Sequence, residues 1–136
     1  MYPTEMTDPI RDEVRAMGMT EATTPAAVTA AVSQPGAPLV FVNSICGCAA
    51  GGARPGLAKA LADSPKRPRV VTVFAGVDRE ATAAARGQFP EYPPSSPSAA
   101  LLKDGEVVWF LHRHQIEGRR PEQIAQAFQQ AFAAHC

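Results

Sequence analysis

Apolar and polar positions along the chain divide it into helical and strand segments. Apolar residues at helical spacing, bounded by capping residues, Gly or Pro, predict helices over residues 8–17, 24–32, 57–62, 78–88 and 121–134. Short apolar runs rich in β-branched residues predict buried strands over residues 39–43 and 69–74. Two more strands, separated by an Asp-Gly turn signal, are predicted over residues 98–102 and 106–111.

Several of these segments carry signals for where a helix begins. Asp8 and Thr24 suit the N-cap position, and each is followed by a proline at the first helical position. Asp78 is predicted to cap the fourth helix in the same way. Pro55 either starts the third helix or kinks it, and the residues before it, 46–52, are predicted to be a loop or a loose first turn. Residues 90–97 hold four prolines and are predicted to be an irregular loop.

The order of these elements predicts an α/β fold. Strands alternating with helices imply parallel pairing, and the hairpin adds an antiparallel strand. We therefore expect a four-stranded mixed central sheet flanked by helices, with extra N-terminal helices over a sheet edge or face. At 136 residues the chain has the usual size of one domain, so residues 1–136 are expected to form a single domain.

Composition and charge narrow the class of protein. Thirteen basic residues balance thirteen acidic ones, so no net field favours nucleic acid or an anionic membrane. No apolar stretch approaches the roughly 20 residues that span a bilayer, and residues 1–11 show no signal-peptide pattern. We therefore expect a cytoplasmic protein. Its three cysteines are an odd count, which in a reducing compartment indicates catalytic or metal-binding thiols.

The candidate chemistry is concentrated in Cys46-Gly47-Cys48, directly after the predicted strand 39–43. Two thiols this close can form a disulfide with each other, pass it to a client, or bind a soft metal. A helix N-terminus carries roughly half a positive charge and exposes free N–H groups, which lower the pKa of a nearby thiol. Arg54 is the nearest downstream cation and a candidate to add to this effect.

The two cysteines are expected to differ in role. Cys46 lies nearer the strand end and is the candidate nucleophile, while Cys48 is placed to attack the resulting mixed disulfide. A Cys-x-Cys disulfide needs Cα atoms about 4.4–6.8 Å apart, which requires a bend at Gly47. The small ring should be strained and easily reduced, which favours oxidation or reshuffling of clients over strong reduction.

Two other classes of protein remain open on the residues alone. A zinc or iron–sulfur carrier would need more ligands than the two thiols, and these would come from His112, His114, His135 and Cys136. The two histidines around Arg113 do not have the usual ligand spacing, so we predict no metal site. A non-catalytic binding module would require both thiols to be buried and inert.

Pro97 stands directly before the strand 98–102, which leads into Lys103-Asp104-Gly105-Glu106. This arrangement is similar to the thioredoxin fold, in which a cis proline precedes the third strand and faces the thiols. The resemblance implies that the Ser96–Pro97 bond is cis. It also implies that the backbone there offers strand-like hydrogen bonds to a docked client.

Three longer motifs make the resemblance narrower: V-N-S-I-C-G-C-A-A-G-G-A-R-P at 42–55, P-S-S-P-S-A-A-L-L-K-D-G-E at 94–106 and H-R-H-Q-I-E-G-R at 112–119. Together they resemble the bacilliredoxins, a thioredoxin-like family. The N-terminal M-Y-P and the last helix fit as well, so the resemblance covers nearly the whole chain. It implies removal of the small thiol bacillithiol from protein cysteines during recovery from oxidative stress. Weak disulfide isomerase or reductase activity is also associated with the family.

Carried over, the resemblance implies that Cys46 attacks the mixed disulfide and takes up the bacillithiol. Either Cys48 or a second bacillithiol then resolves it. No bound cofactor is implied, bacillithiol is the co-substrate, and the partners are S-bacillithiolated or disulfide-bonded client proteins. The candidate substrate-binding residues are Asn43, Gly47, Arg54, Ser96 and Pro97. A general protein disulfide isomerase would share all these residues and differ only in substrate.

Two features lie outside this account. Cys136 ends the chain and is not part of the family signature. It is either a free thiol at a frayed end, an extra resolving cysteine, or a link to another chain. No chemistry can be assigned to His112, Arg113 and His114, which either orient the last helix or meet the carboxylates of bacillithiol.

Overall fold

The computed structural model describes residues 2–136, so Met1 of the M-Y-P match lies outside the described residues. The strands are β1 Thr20–Glu21, β2 Leu39–Asn43, β3 Val70–Phe74, β4 Ser98–Lys103 and β5 Glu106–Leu111. The α-helices are α1 Thr4–Ala16, α2 Pro25–Val32, α3 Arg54–Asp63, α4 Arg79–Arg86 and α5 Pro121–His135. A π-helical turn, Ala49–Ala53, precedes α3, and a 3₁₀ turn, Arg113–Gln115, follows β5.

The strands form one mixed sheet in the order β1-β3-β2-β4-β5. Strands β1, β3 and β2 are parallel, whereas β4 is antiparallel to β2 and β5 is antiparallel to β4. Val42 pairs with Ser98, so the end of β2 lies beside the start of β4. This register brings the segment after β2 next to the proline-rich loop before β4.

Helices cover both faces of the sheet. In β2, Leu39 and Phe41 pack into one core with α1, α3 and α5. Val40 and Val42 point the other way, into a second core with α2 and α4. Because both faces are covered, every residue of β2 and β3 is buried, which is why each strand is apolar in the sequence at all positions but one, Asn43 in β2 and Thr72 in β3.

The predicted four-stranded sheet was wrong by one strand. The fifth strand is β1, Thr20–Glu21, which pairs in parallel with the outer edge of β3. It has only two residues, one of them charged, so it carries neither an apolar run nor an alternating pattern.

The first helix begins earlier than predicted. It starts at Thr4 and continues through Pro9, so Asp8 lies inside the helix and is not its N-cap. Pro9 has no backbone N–H, so α1 lacks one helical hydrogen bond at this position. Burial of Thr7 and Val14, seven positions apart on the same helix face, offsets that loss.

Other predicted helix ends were partly right. Thr24 caps α2, with its Oγ1 accepting a hydrogen bond from the Ala27 N–H at 3.1 Å. Asp78 occupies the N-cap position of α4, but its carboxylate binds the Arg11 guanidinium at 2.8 and 3.1 Å and makes no capping bond. The hairpin forms as predicted, with Asp104 and Gly105 both at positive φ.

Helices α3 and α5 cross closely at Gly56. A Cβ at this position would stand 2.8 Å from Ile124 Cβ and 3.1 Å from the Pro121 carbonyl oxygen. Neither atom can move away by a side-chain rotation, so the crossing requires glycine.

Gly56→Ala is therefore expected to lower the free energy of unfolding by about 1–2 kcal/mol, because overpacking outweighs the gain in helix propensity. Urea denaturation would measure the change. Gly51→Ala is the matched control, because its added Cβ meets nothing within 4 Å, and it should be neutral or slightly stabilising. Equal stability of the two variants would contradict this account of the crossing.

Within residues 2–136, no helix is long and apolar enough to cross a membrane.

Candidate active site

The paired thiols lie where β2 gives way to a helix. The carbonyl of Cys46 accepts hydrogen bonds from the N–H groups of Ala49 and Ala50 at 3.1 and 3.2 Å, which closes the first helical turn. The helical segment starts at Gly47 and runs through the π-helical turn into α3. The predicted loop or loose first turn at 46–52 is therefore mostly helix, and Cys46 lies at its N-terminus.

The two sulfur atoms are in direct contact. Cys46 Sγ and Cys48 Sγ are 2.8 Å apart, and both cysteines are free and partly exposed. Gly47 between them is exposed, and a Cβ there would meet nothing within 4 Å. The expected bend at Gly47 concerns the disulfide form and stays a prediction.

Ser44 supports the first thiol, and its role could not be recognised in the sequence. Its hydroxyl donates a hydrogen bond to Cys46 Sγ at 3.0 Å and accepts one from the Cys46 N–H at 3.2 Å. The serine is buried, so its hydroxyl is held in place beside the sulfur. The only sequence signal was a short polar residue two positions before the cysteine.

These contacts separate the acidities of the two thiols. Burial alone would raise the pKa of Cys46, but hydrogen bonds from Cys48, Ser44 and the backbone N–H groups of Ala49 and Cys48 outweigh burial and lower it to about 7. The pKa of Cys48 is raised, first by burial and then by its hydrogen bond to Cys46 and the charge there. Cys46 is thus the thiol that ionises first, as its predicted role requires.

Ser44→Ala is expected to shift the pH midpoint for alkylation of Cys46 by iodoacetamide upward by about one pH unit, because one hydrogen bond to the thiolate is lost. In the unaltered chain the rate should rise through about pH 7. Alkylation reactions stopped after set times at a series of pH values, and analysed by mass spectrometry of the Cys46 peptide, give the pH midpoint of each protein. Ser33→Ala, at an exposed serine whose hydroxyl donates to the Thr29 carbonyl, is the control and should leave the midpoint unchanged. Coincident midpoints for Ser44→Ala and Ser33→Ala would refute the role of Ser44.

Asn43 and Arg54 hold the loop beneath the thiols. The Asn43 Oδ1 accepts hydrogen bonds from the Ser44 N–H at 2.9 Å and from Arg54 Nη1 at 3.0 Å. The same nitrogen of Arg54 donates to the Ser44 carbonyl at 2.9 Å. On its other side, Arg54 Nε lies 3.2 Å from a carboxylate oxygen of Glu13, an ion pair whose geometry is not that of an aligned hydrogen bond.

The positions of Asn43 and Arg54 do not suit the substrate-binding roles predicted for them. Both side chains are buried, with relative exposures of 2% and 3%, and Asn43 Oδ1 and Arg54 Nη1 bond to each other and to Ser44. They can position the segment that carries Cys46, but they do not present donors to a substrate. The prediction that Arg54 assists the thiols as a nearby cation has no support in its contacts.

Arg113 is the cation whose charge acts on the thiols. It lowers the pKa of Cys48, although burial and Cys46 outweigh it there. Its Nη1 donates to the Ser96 carbonyl at 3.2 Å, and its Nε pairs with Glu117. Arg113 follows β5, far from the cysteines along the chain, so the sequence carries no local signal for its role at the thiols.

The Ser96–Pro97 peptide bond is cis, as the resemblance implied. Pro97 is buried, while Ser96 is partly exposed and lines the same cleft as Cys46. This open cleft has a volume of about 290 Å³. Its walls come from six parts of the fold and include Tyr2, Ser44, Gly76, Arg86, Ser96 and Arg113.

Cys136 stands apart from this site. It lies in a groove with Lys103 and Asp104, at the opposite end of β4 from Pro97, so it cannot act as an extra resolving cysteine for Cys46 in the same chain. Its end of the chain is not frayed, because its N–H bonds the Phe132 carbonyl at 2.9 Å and it packs against the core. Burial raises the pKa of its thiol, so it is a poor nucleophile at neutral pH.

The histidines predicted as possible metal ligands are not gathered with the thiols. His112 and His114 stack on each other with ring centroids 5.0 Å apart, and His112 also packs on Phe110. Across the described residues 2–136, no three histidine, cysteine, aspartate or glutamate side chains are grouped as metal ligands.

The whole described chain can be compared with known proteins. The family described as disulphide isomerase matches residues 2–136. A bacilliredoxin of Cytophaga hutchinsonii is 50% identical over 125 residues, which cover 92% of this chain and 93% of the relative. A bacilliredoxin of Bacillus cereus is 50% identical over 137 residues, covering 99% and 95%. The chain belongs to the bacilliredoxin family.

The fold of this bacilliredoxin family member agrees with that assignment. A solved structure described as having a thioredoxin fold matches it with a TM-score of 0.62 at 18% identity, covering 80% of this chain and 92% of that one. The thioredoxin-like α/β class predicted from the sequence is confirmed. Family and fold together support a thiol–disulfide oxidoreductase.

Proposed function

We propose that this protein removes bacillithiol from S-bacillithiolated protein cysteines, during recovery from oxidative stress, by exchange at Cys46. The observation that carries the proposal is the state of the Cys46 thiol. It is held at a helix N-terminus, in an open cleft that Ser96 also lines, with a pKa of about 7. With this pKa, about half of the Cys46 side chains are ionised at neutral pH. The thiolate is the species that attacks a disulfide.

The first step is a balanced exchange of one disulfide for another. The Cys46 thiolate attacks the bacillithiol sulfur of the mixed disulfide, and a new S–S bond forms as the old one breaks. The client cysteine leaves as a thiolate and takes a proton from water. The Cys46 sulfur now carries the bacillithiol. The client cysteine has been reduced to a thiol and the Cys46 sulfur has been oxidised to a disulfide, so the step needs no outside oxidant or reductant.

The second step releases the small thiol. In the free protein, the charge on Cys46 is among the causes that keep Cys48 protonated. Once Cys46 is in a mixed disulfide that charge is gone, so Cys48 loses its proton more easily and can attack Cys46 from its position alongside. Bacillithiol leaves as a thiolate and Cys46 and Cys48 form a disulfide. Alternatively, a second bacillithiol attacks the adduct, which yields bacillithiol disulfide and restores Cys46.

The proposal includes the partners and the setting. Bacillithiol is the co-substrate and no bound cofactor is required, because the two sulfur atoms carry the electrons. The clients are cytoplasmic proteins with bacillithiolated or disulfide-bonded cysteines. Nucleic acid and membranes have no role in it.

The test uses one client protein with a single cysteine, blocked either by bacillithiol or by glutathione. We expect faster release of the client thiol from the bacillithiol adduct, and no release above background from either adduct with Cys46→Ala. Mass analysis of the client over time gives both rates. Equal rates, or faster release of glutathione, would contradict the assignment to bacillithiol.

General disulfide isomerisation is a second candidate function, favoured by the description of the family that matches residues 2–136. It would use the same Cys46 thiolate on protein disulfides. Recovery of activity by a scrambled disulfide protein would measure it, and recovery that matches the rate of bacillithiol removal would favour this function.

A further inference from the structure

Positively charged side chains line the cleft at Cys46. Two arginines, Arg86 and Arg113, line it together with Cys46. None of the lining residues found in the part of the chain described, 2–136, has a carboxylate side chain. A small cleft with two guanidinium groups and no acidic residue in its walls is complementary to an anionic ligand.

Only part of the hydrogen-bonding capacity of the Arg86 guanidinium is used inside the described protein. It ends α4, and its Nη2 donates to the Ser95 carbonyl at 3.3 Å. Its Nε is buried and has no hydrogen-bond partner among residues 2–136, and burial lowers the pKa of the guanidinium. None of the ion pairs found among residues 2–136 includes Arg86, whereas Arg11, Arg15 and Arg54 each have a carboxylate. A partly desolvated cation without a counter-charge is costly, and an anion in the cleft would remove that cost.

Arg113 approaches the cleft from another part of the fold. It follows β5, is held by the Ser96 carbonyl and Glu117, and remains 44% exposed. Glu117 partly neutralises it, so Arg86 is the stronger candidate for binding an anion. The planar guanidinium group matches a carboxylate with two parallel hydrogen bonds.

We propose that Arg86, assisted by Arg113, forms a subsite for the carboxylate of the small thiol that Cys46 accepts, and that Arg86 sets the preference for an anionic thiol. This deepens the proposed function and rests on it. The volume of about 290 Å³ suits a small-molecule thiol and not a folded segment of client. Exchange itself follows the balanced steps given above, and Arg86 only holds the non-reacting end.

The test compares three small disulfides that differ in charge: dithiodipropionate, which carries two carboxylates, neutral hydroxyethyl disulfide and dicationic cystamine. Each rate with the reduced protein is divided by the rate of the same disulfide with a free model thiol. We expect the normalised rates to fall from the dianion to the neutral compound to the dication. Arg86→Gln should lower the rate of the dianion about tenfold and change that of the neutral compound less than about twofold.

Arg79→Gln is the matched control, because Arg79 lies on the same helix, is exposed and does not line the cleft. It should leave all three rates unchanged. Rates insensitive to charge, or an equal loss in Arg86→Gln for all three disulfides, would overturn the subsite while leaving exchange at Cys46 intact.

A second measurement does not depend on exchange. Succinate, a dicarboxylate without a thiol, should slow alkylation of Cys46 by neutral iodoacetamide in the unaltered chain and in Arg79→Gln, but not in Arg86→Gln. Absence of protection in the unaltered chain would overturn the subsite. If succinate protects but none of the three disulfides reacts faster than with the model thiol, the subsite stands and the proposed function of Cys46 fails.

Discussion

Cys46→Ala is expected to reduce disulfide exchange to the rate seen without protein. Cys46 is the thiol with the lowered pKa, and the sulfur that remains, Cys48, has a raised one. The variant loses the hydrogen bond and charge of Cys46 that help to raise the Cys48 pKa, but burial still raises it. Among the described residues Cys46 lines the cleft and Cys48 does not, so the variant presents no thiolate, the nucleophile, to a disulfide bound there. Release of a thiol from a blocked client, followed by mass, measures the loss.

Cys48→Ala is the matched variant, because it removes the neighbouring sulfur and keeps the nucleophile. It should still perform the first step, more slowly at neutral pH because Cys46 loses one hydrogen bond to its thiolate. Its mixed disulfide should accumulate, since the neighbouring attacking thiol is missing. Full exchange by Cys46→Ala, with none by Cys48→Ala, would reverse the assigned roles.

Arg54→Met is expected to lower the free energy of unfolding by about 2–4 kcal/mol, because the Asn43 Oδ1 and the Ser44 carbonyl lose a buried donor. The loop that carries Ser44 should also loosen, so alkylation of Cys46 at neutral pH should slow. Urea denaturation and alkylation measure the two effects.

Lys59→Met is the control for this substitution. Lys59 lies on the same helix, and its ion pair with Asp63 is exposed, so its loss should change stability by less than about 0.5 kcal/mol. Similar stability for Arg54→Met and Lys59→Met would show that the buried bonds of Arg54 do not hold the loop.

Sequence patterns predicted the interior of the fold better than its edges. Strand β2 was correct at both ends because a strand buried on both faces carries a nearly continuous apolar run, here Leu39 to Val42 directly before Asn43. The edge strand β1 was missed because two residues with one paired edge need no such pattern. The start of α1 was missed because burial of Thr7 outweighs the local signals of Asp8 and Pro9.

The candidate site divides in the same way. The cysteine pair and Pro97 were predictable because each stands next to a strand that the sequence pattern predicts. The cysteines closely follow β2, and Pro97 directly precedes β4. Arg54 was given the role of a nearby cation because it is close in sequence, but its side chain turns inward to Asn43. Arg113 has that position instead, and only the pairing of β4 with β2 and β5 brings it to the cleft.

The most direct test of the account is mass analysis of Cys48→Ala after incubation with a bacillithiolated client. The account predicts an added mass of one bacillithiol on the peptide that contains Cys46, none on the peptide that contains Cys136, and a client with its thiol restored. A restored client without an adduct on Cys46, or an adduct on Cys136 alone, would contradict it.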